Sequence, residues 1–147
     1  MFFKKDFFSE DEKKRILAAI GTAEKLTSGE IRLHVESKCK DEVLDRAAEV
    51  FYKLEMEKTA ARNGVLIYLA IEDHKFAIIG DEGINKAVPA DFWEATKNKM
   101  RDLFKAGSMV DGVVLGIAEA GEQLEKYFPY NRKNDTNELS DDISFGK

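Results

Sequence analysis

Cysteine, proline and histidine are scarce in this sequence, and it contains no long apolar run. Cys39 is the only cysteine among 147 residues, which excludes an internal disulfide and a cysteine-rich zinc cluster. No stretch reaches the roughly 18 apolar residues of a membrane span. Charges interrupt the apolar start before a signal-peptide core of about 7 to 15 residues develops. These absences predict a soluble protein in a reducing compartment, the cytoplasm.

No stripe of positive charge is present either. The 23 basic residues are interspersed among 28 acidic ones, for a formal charge of -5, and this argues against a nucleic-acid partner. The hydrophobic fraction of 44% is enough for one sizeable core. We therefore predict one domain over residues 1–129, followed by a disordered polar tail over residues 130–147, where the composition turns to Asn, Asp and Ser.

Hydrophobic spacing predicts an α/β fold with the element order helix, strand, helix, strand, strand, helix, helix. Ser9 and Glu12 have the spacing of a capping box at the start of the first helix, and alternation over residues 31–36 predicts a strand with His34 on its exposed face. The remaining predicted elements are a helix over 40–58, a buried strand over 65–71, a strand over 76–79, a helix over 90–105 with Pro89 in its first turn, and a last helix capped by Ser108 and ended before Pro129.

The predicted topology brings three polar stretches to one edge of the sheet. A strand joined through a helix to the next strand forms a parallel pair, whereas a short turn makes the third strand antiparallel. The starts of the first two strands and the end of the third then share an edge. The side chains expected there are Glu30, Asn63, Asp81 and Glu82.

Carboxylate and amide oxygens are the ligands that calcium and magnesium prefer. A bound cation would also relieve the repulsion among the three carboxylates, so the sequence predicts a divalent-cation site at Glu30, Asn63, Asp81 and Glu82. Each of these residues also has an ordinary reading as a turn former or a solvated carboxylate. The opposite edge ranks second as a candidate and offers Ser37, Cys39, Glu72, Asp73 and His74.

Motifs for nucleophilic catalysis are missing. Arg46 lies one position too far from Cys39 for the C-x5-R phosphatase loop, and the sequence has no P-loop and no EF-hand loop. The two histidines do not indicate a hydrolase with a His-activated Ser. No catalytic nucleophile is identified, so whether the protein is an enzyme stays open.

Several segments in a fixed order resemble the TPM-domain family, formerly a domain of unknown function. They are Thr27–Arg32, Phe51–Thr59, Arg62–Tyr68, Gly80–Ile84, Asp91–Phe92–Trp93 and Tyr127–Phe128–Pro129. The resemblance covers residues 9–129 and implies a small mixed β-sheet sandwiched between helices. It also implies an acidic pocket that binds divalent cations in some members, and it carries a phosphatase label that comes from a thylakoid-lumen relative. Many relatives carry an export signal and a membrane anchor, neither of which is evident here.

Three functions follow as hypotheses. The first is an accessory or binding protein with a calcium or magnesium site and an unknown partner. The second is a metal-dependent phosphatase for phosphomonoesters, with Arg62 holding a phosphoryl oxygen. The third is a protein-interaction module that docks through the aromatic cluster Phe2, Phe3, Phe7 and Phe8, although such residues more often simply cover a core.

Overall fold

The computed structural model describes residues 7–130 and 142–146, which form a mixed α/β structure. Its elements are α1 (Glu10–Glu24), β1 (Glu30–Glu36), α2 (Val43–Lys53), β2 (Gly64–Ala70), β3 (Lys75–Gly80), α3 (Glu82–Ala87), α4 (Glu94–Lys105), α5 (Met109–Glu125) and β4 (Ser144–Phe145). Among the helices of residues 7–130 and 142–146, none combines the length and the hydrophobicity that a membrane span requires. The cytoplasmic location stays a prediction.

The strands form one sheet in the order β3-β2-β1-β4. The strand β2 pairs parallel with β1 and antiparallel with β3, which confirms the predicted crossover and hairpin. Every residue of β2 is buried, as its uncharged sequence indicates for a strand covered on both faces.

Helices cover both faces of the sheet. Val65, Ile67 and Leu69 of β2 join the larger core cluster with residues of α1, α4 and α5, whereas Leu66 and Tyr68 pack with α2 in a second cluster. The alternation of side chains along a strand therefore divides β2 between two apolar layers. This arrangement is the predicted sandwich.

The start of α1 follows the sequence prediction. The Ser9 amide donates to Glu12 Oε1 over 2.8 Å, and the Glu12 amide donates to Ser9 Oγ over 3.1 Å, which completes the capping box. Phe8 is buried in the larger core cluster and Phe7 packs against it. The core-covering interpretation is therefore confirmed for these two aromatics, whereas Phe2 and Phe3 lie outside the described residues.

Two predicted helices have wrong boundaries, and the last helix begins where predicted but lacks the predicted cap. The helix predicted over 40–58 is only Val43–Lys53, because the chain turns through Glu55 at a φ of 57° and then buries Met56. The helix predicted over 90–105 begins at Glu94, and Pro89 lies before it, after the unpredicted helix α3. Ser108 precedes α5 without a capping hydrogen bond from its side chain.

The last described residues also differ from expectation, since disorder was predicted over 130–147. Ser144 and Phe145 instead form β4, which pairs parallel with β1, and the Gly146 amide donates to the Val35 carbonyl over 2.8 Å. This short strand covers His34, which is only 6% exposed and not on an open face as predicted. Residues 131–141 lie outside the described part of the chain.

Candidate functional site

The backbone brings the predicted site residues to one edge of the sheet, called here the amino edge. The Glu30 amide donates to the Asn63 carbonyl over 3.2 Å, and the Asp81 amide donates to the Gly64 carbonyl over 2.9 Å. These bonds follow from the parallel β1–β2 pair and the antiparallel β2–β3 pair. Glu30, Asn63 and Asp81 are buried there, and Glu82 is exposed.

Asp81 is held by two kinds of donor. It caps α3, with Oδ1 accepting from the Glu82 amide over 2.7 Å, a use of aspartate that satisfies an orphan amide of the helix. Its carboxylate also accepts two bonds from Arg62, Nε to Oδ2 over 2.7 Å and Nη2 to Oδ1 over 2.8 Å. Three hydrogen bonds thus fix a side chain that is 3% exposed.

Arg62 joins the two acidic side chains of this edge. Its Nη1 lies 3.1 Å from Glu82 Oε2, and Glu82 also pairs with Lys86 Nζ over 3.0 Å. The hydrogen bond to Asp81 raises the pKa of Arg62, and Lys86 with Arg62 lowers the pKa of Glu82. One guanidinium therefore supplies the positive charge that the sequence analysis assigns to a metal ion.

The loop before β2 places Arg62. Arg62 has a φ of 51°, and its carbonyl accepts from the Gly83 amide over 2.9 Å. A Cβ on Gly83 would lie 2.3 Å from the Ala61 carbonyl oxygen, a distance that only glycine permits. This contact locks the start of α3 against the loop and brings Arg62 to Asp81.

The four predicted residues do not form a ready-made metal centre. Asp81 and Glu82 share Arg62, whereas the Asn63 amide nitrogen lies 3.5 Å from Ser28 Oγ. Within the described residues, no three His, Cys, Asp or Glu side chains are grouped so that they could hold a metal ion. Beside Arg62 lies an open cleft of about 320 Å³, whose lining includes Tyr52, Asp81 and Glu82.

The opposite edge contains a buried charge network that the sequence analysis missed. Glu36, at the end of β1, accepts from Arg46 Nε and Nη2 over 2.8 Å each and from the Tyr68 hydroxyl. His34 Nε2 lies 3.0 Å from Glu36 Oε1, and His34 Nδ1 lies 2.8 Å from Ser144 Oγ. The ring of His34 also stacks on Tyr68 at 5.9 Å between centroids.

The network shifts the titration of its members. Burial by itself would raise the pKa of Glu36, but hydrogen bonds from Arg46, Tyr68 and His34 outweigh burial and lower the pKa to about 2. Burial, followed by the bond to Glu36, raises the pKa of Tyr68. Burial also lowers the pKa of His34 against the opposing effect of Glu36. The network therefore holds a carboxylate against a neutral imidazole.

One sequence signal for this network was available. Tyr68 is the single polar side chain in an otherwise apolar strand, and a buried tyrosine hydroxyl requires a partner. Its neighbour on β1 is His34 in the register, and Glu36 follows on the same face two residues later. Arg46 gives no comparable signal, because helical spacing alone does not show that it reaches a strand.

The residues ranked second in the sequence analysis lie beside this network in the hairpin region. Asp73 Oδ2 accepts from the Cys39 amide over 2.7 Å, and Cys39 is buried. His74 is exposed in the turn with a φ of 53°. Ser37, Cys39 and Glu72 contribute to a cleft of about 410 Å³. Asp73 and Cys39 thus have a structural contact that explains their position.

Comparisons with known proteins give one family match and similar solved structures. The TPM domain matches residues 2–123. The NMR structure of the BA42 protein from the psychrophilic bacterium Bizionia argentinensis is 48% identical, with a TM-score of 0.90 over 99% of this chain and 100% of that one. A comparison with curated proteins finds no match.

A second solved structure is similar in fold alone. The N-terminal domain of the cg2496 protein from Corynebacterium glutamicum is 15% identical, with a TM-score of 0.57 over 97% of this chain and 82% of that one. The family match covers most of the sequence, and the fold agrees with the arrangement that the TPM resemblance implies. This chain belongs to the TPM-domain family.

Proposed function

We propose that this TPM-domain protein has a binding role, not a catalytic one, and takes up a calcium or magnesium ion at the amino edge. The observation that carries the proposal is that two carboxylates, Asp81 and Glu82, share one positive side chain. Both pair with the guanidinium of Arg62 beside an open cleft. A divalent ion takes the place of Arg62 and neutralises the same two carboxylates.

The exposure of the three side chains supports this exchange. Arg62 is 38% exposed and Glu82 is 51% exposed, whereas Asp81 is 3% exposed. The buried carboxylate is the fixed ligand, and the two exposed side chains are free to change rotamer at small cost. Glu30 is the first residue of β1 and Asn63 directly precedes β2, at the same edge of the sheet. They are the further oxygen ligands of the proposal, since calcium takes six to eight oxygens.

Calorimetry with calcium and then magnesium tests the proposal on the wild type, Asp81→Asn and Arg62→Gln. Asparagine still caps a helix but removes the charged ligand, so we expect at least a roughly tenfold loss of affinity. Arg62→Gln removes the competing cation, so we expect binding that is several times tighter. This opposite sign distinguishes competition at one site from general charge effects.

The Arg15–Asp111 ion pair gives matched controls. It spans 2.8 Å between half-exposed side chains on α1 and α5, so Asp111→Asn and Arg15→Gln change the net charge equally without touching the amino edge. Both controls are expected to bind as the wild type does. Negligible heats for the wild type, or equal affinities for the wild type and Asp81→Asn, would contradict the proposal.

A metal-dependent phosphatase is the second candidate. The position of Arg62 favours it, because a guanidinium that a cation displaces from Asp81 becomes available for a phosphoryl oxygen at the same cleft. A carboxylate then acts as the base for an attacking water. Magnesium-dependent turnover of a generic phosphomonoester, lost in Asp81→Asn and reduced in Arg62→Gln, is the expected result. Absence of turnover in the cation-loaded wild type would contradict the phosphatase candidate, and binding would then be the only role of this site.

Docking through the aromatic cluster depends on Phe2 and Phe3, since Phe7 and Phe8 pack with the core. Loss of Phe2 and Phe3 that abolishes partner capture without lowering the melting temperature would favour docking. A lower melting temperature would indicate core packing for these two residues also.

A further inference from the structure

An apolar cleft lies between the edge strand β3 and the end of α4. It shares no lining residue with the cleft beside Arg62. Its volume is about 450 Å³, within the range of small-molecule sites. Its lining is mainly apolar: Leu69, Ile71, Phe76, Phe104 and Met109. Phe76 and Phe104 meet edge to face, with ring centroids 5.0 Å apart at 87°.

The polar part of this cleft carries positive charge. Arg101, Lys105, Lys75 and His74 line it, and among the described residues no Asp or Glu does. This is unusual for a chain in which acidic residues outnumber basic ones. Lys75 contributes its aliphatic stem, because its Nζ donates to the Cys39 carbonyl over 3.0 Å.

Arg101 and Lys105 are the two available cations. They stand four residues apart on α4, so they lie on one face of the helix. Both are exposed, and neither makes a hydrogen bond or ion pair with another residue of the described chain. Elsewhere on α4, Lys99 pairs with Glu119 over 2.6 Å. Unpaired cations thus occur beside the apolar cleft.

We propose that this cleft binds a free medium-chain carboxylate. The aliphatic tail lies on the surface formed by Phe76, Phe104 and Met109, where burial removes apolar area from water. The carboxylate accepts from Arg101, whose planar guanidinium matches two carboxylate oxygens, and Lys105 adds a second positive charge. The site is separate from the amino edge and does not depend on cation binding there.

An amide NMR titration with three ligands that share one tail tests the proposal. Decanoate, decanol and decyltrimethylammonium are each added below the concentration at which they aggregate. We expect localised shifts at Phe76, Phe104, Gly107 and Met109 with decanoate, weaker binding of decanol, and no saturable binding of the cationic ligand. This order separates charge recognition from general apolar adsorption.

The double variant Arg101→Gln/Lys105→Gln isolates the charge. We expect the loss of two charge contacts at a partly exposed site to lower the affinity for decanoate by roughly fivefold or more. The affinity for decanol should change by less than about twofold. Lys14→Gln/Lys126→Gln is the matched control, since it removes the same net charge from exposed positions on other elements and leaves decanoate affinity unchanged. The amide spectrum confirms that each variant is folded.

Three results would overturn the proposal. Equal affinities for decanoate and decanol would mean that the cations select nothing. Decanoate shifts that lie outside the cleft would place the ligand elsewhere. Shifts at Phe104 and Met109 that depend on protein concentration without ligand would identify a second copy of the chain as the occupant.

Discussion

At the scale of single residues, the charges inside this protein are placed by specific partners. Glu36 is 2% exposed and accepts from Arg46, Tyr68 and His34. A buried carboxylate that loses such partners remains as an uncompensated charge, which is costly. The network therefore makes the stability of the protein depend on pH.

Glu36→Gln tests this dependence. At neutral pH we expect a loss of about 3 kcal/mol in the free energy of unfolding, because Arg46 loses its buried partner. The folded pKa of Glu36 is about 2 and the unfolded value is near 4.5, so the stabilisation is complete above about pH 4.5 and disappears as the pH falls toward 2. Urea unfolding of both proteins at several pH values measures it.

The difference between wild type and Glu36→Gln should shrink steadily between about pH 4.5 and 2. His34, whose pKa burial lowers, is present in both proteins and destabilises each of them as the pH falls below its unfolded value. The difference between the two proteins therefore isolates the contribution of Glu36. A difference that stays constant across this range would show that Glu36 is not held as a carboxylate in the folded state.

Two glycines should respond in opposite directions to the same substitution. Gly83→Ala places a Cβ 2.3 Å from the Ala61 carbonyl oxygen and 2.7 Å from that of Arg62, and backbone atoms cannot move away cheaply. We expect a loss of about 2 kcal/mol. Gly21→Ala in α1 meets no atom within 4 Å and should gain up to about 1 kcal/mol. Urea unfolding measures both.

The residue scale also shows what the sequence could predict of the site. Strand order and polarity place Glu30, Asn63, Asp81 and Glu82 at one edge, because this follows from backbone connectivity alone. The pairing of Arg62 with Asp81 spans 19 residues and depends on a left-handed turn and on the close approach of Gly83. Such side-chain geometry has no periodic signature in a sequence.

At the scale of elements, α5 packs closely on its neighbours through glycines. A Cβ on Gly121 would meet Ala23 Cβ at 2.7 Å and Ala23 Cα at 2.9 Å, whereas a Cβ on Gly116 would meet the side chain of Met100. The first contact limits the approach of two helix backbones. The second involves a flexible side chain that can change rotamer.

Gly121→Ala should therefore destabilise the protein more than Gly116→Ala. We expect a loss of about 2 to 3 kcal/mol for Gly121→Ala, because α1 and α5 must separate, and about 1 kcal/mol or less for Gly116→Ala. Thermal and urea unfolding compare the two variants. Equal losses would mean that the helix separation adjusts as easily as a methionine side chain does.

Elements were predictable where the hydrophobic period is continuous. The strands β1, β2 and β3 and the start of α1 agree with the sequence within a residue or two. The short helix α3 was missed because Asp81 to Gly83 reads as a turn, and α3 has too few residues to show a helical period. The end of α2 was missed because burial of Met56, a tertiary effect, stops the helix at Lys53.

At the scale of the whole molecule, the described C-terminal residues complete the sheet. Ser144 bonds to His34, Phe145 packs near Phe7 with ring centroids 6.4 Å apart, and a Cβ on Gly146 would lie 2.4 Å from Glu36 Oε1. The composition of this segment is typical of disorder. Its apolar residues Ile143 and Phe145 nevertheless pack against the larger core cluster, a contact that requires the folded domain.

Deletion of residues 142–147 should raise the pKa of His34. Burial is the main cause that lowers this pKa, and β4 supplies part of that burial. An NMR pH titration of the His34 ring in the full and shortened chains measures the change. Ser144→Ala is the control, since it removes one hydrogen bond but keeps the strand, and it should shift the pKa less than the deletion does.

The position of β4 also affects the order in which the strands of the sheet form during folding. His34 and Ser144 are 110 residues apart, whereas β2 and β3 are joined by a short turn, and closing a longer loop costs more entropy before any contact repays it. We expect refolding to protect the amides of β2 first and the Gly146 amide last in pulsed hydrogen exchange. Simultaneous protection would mean that β4 docks during the main folding step.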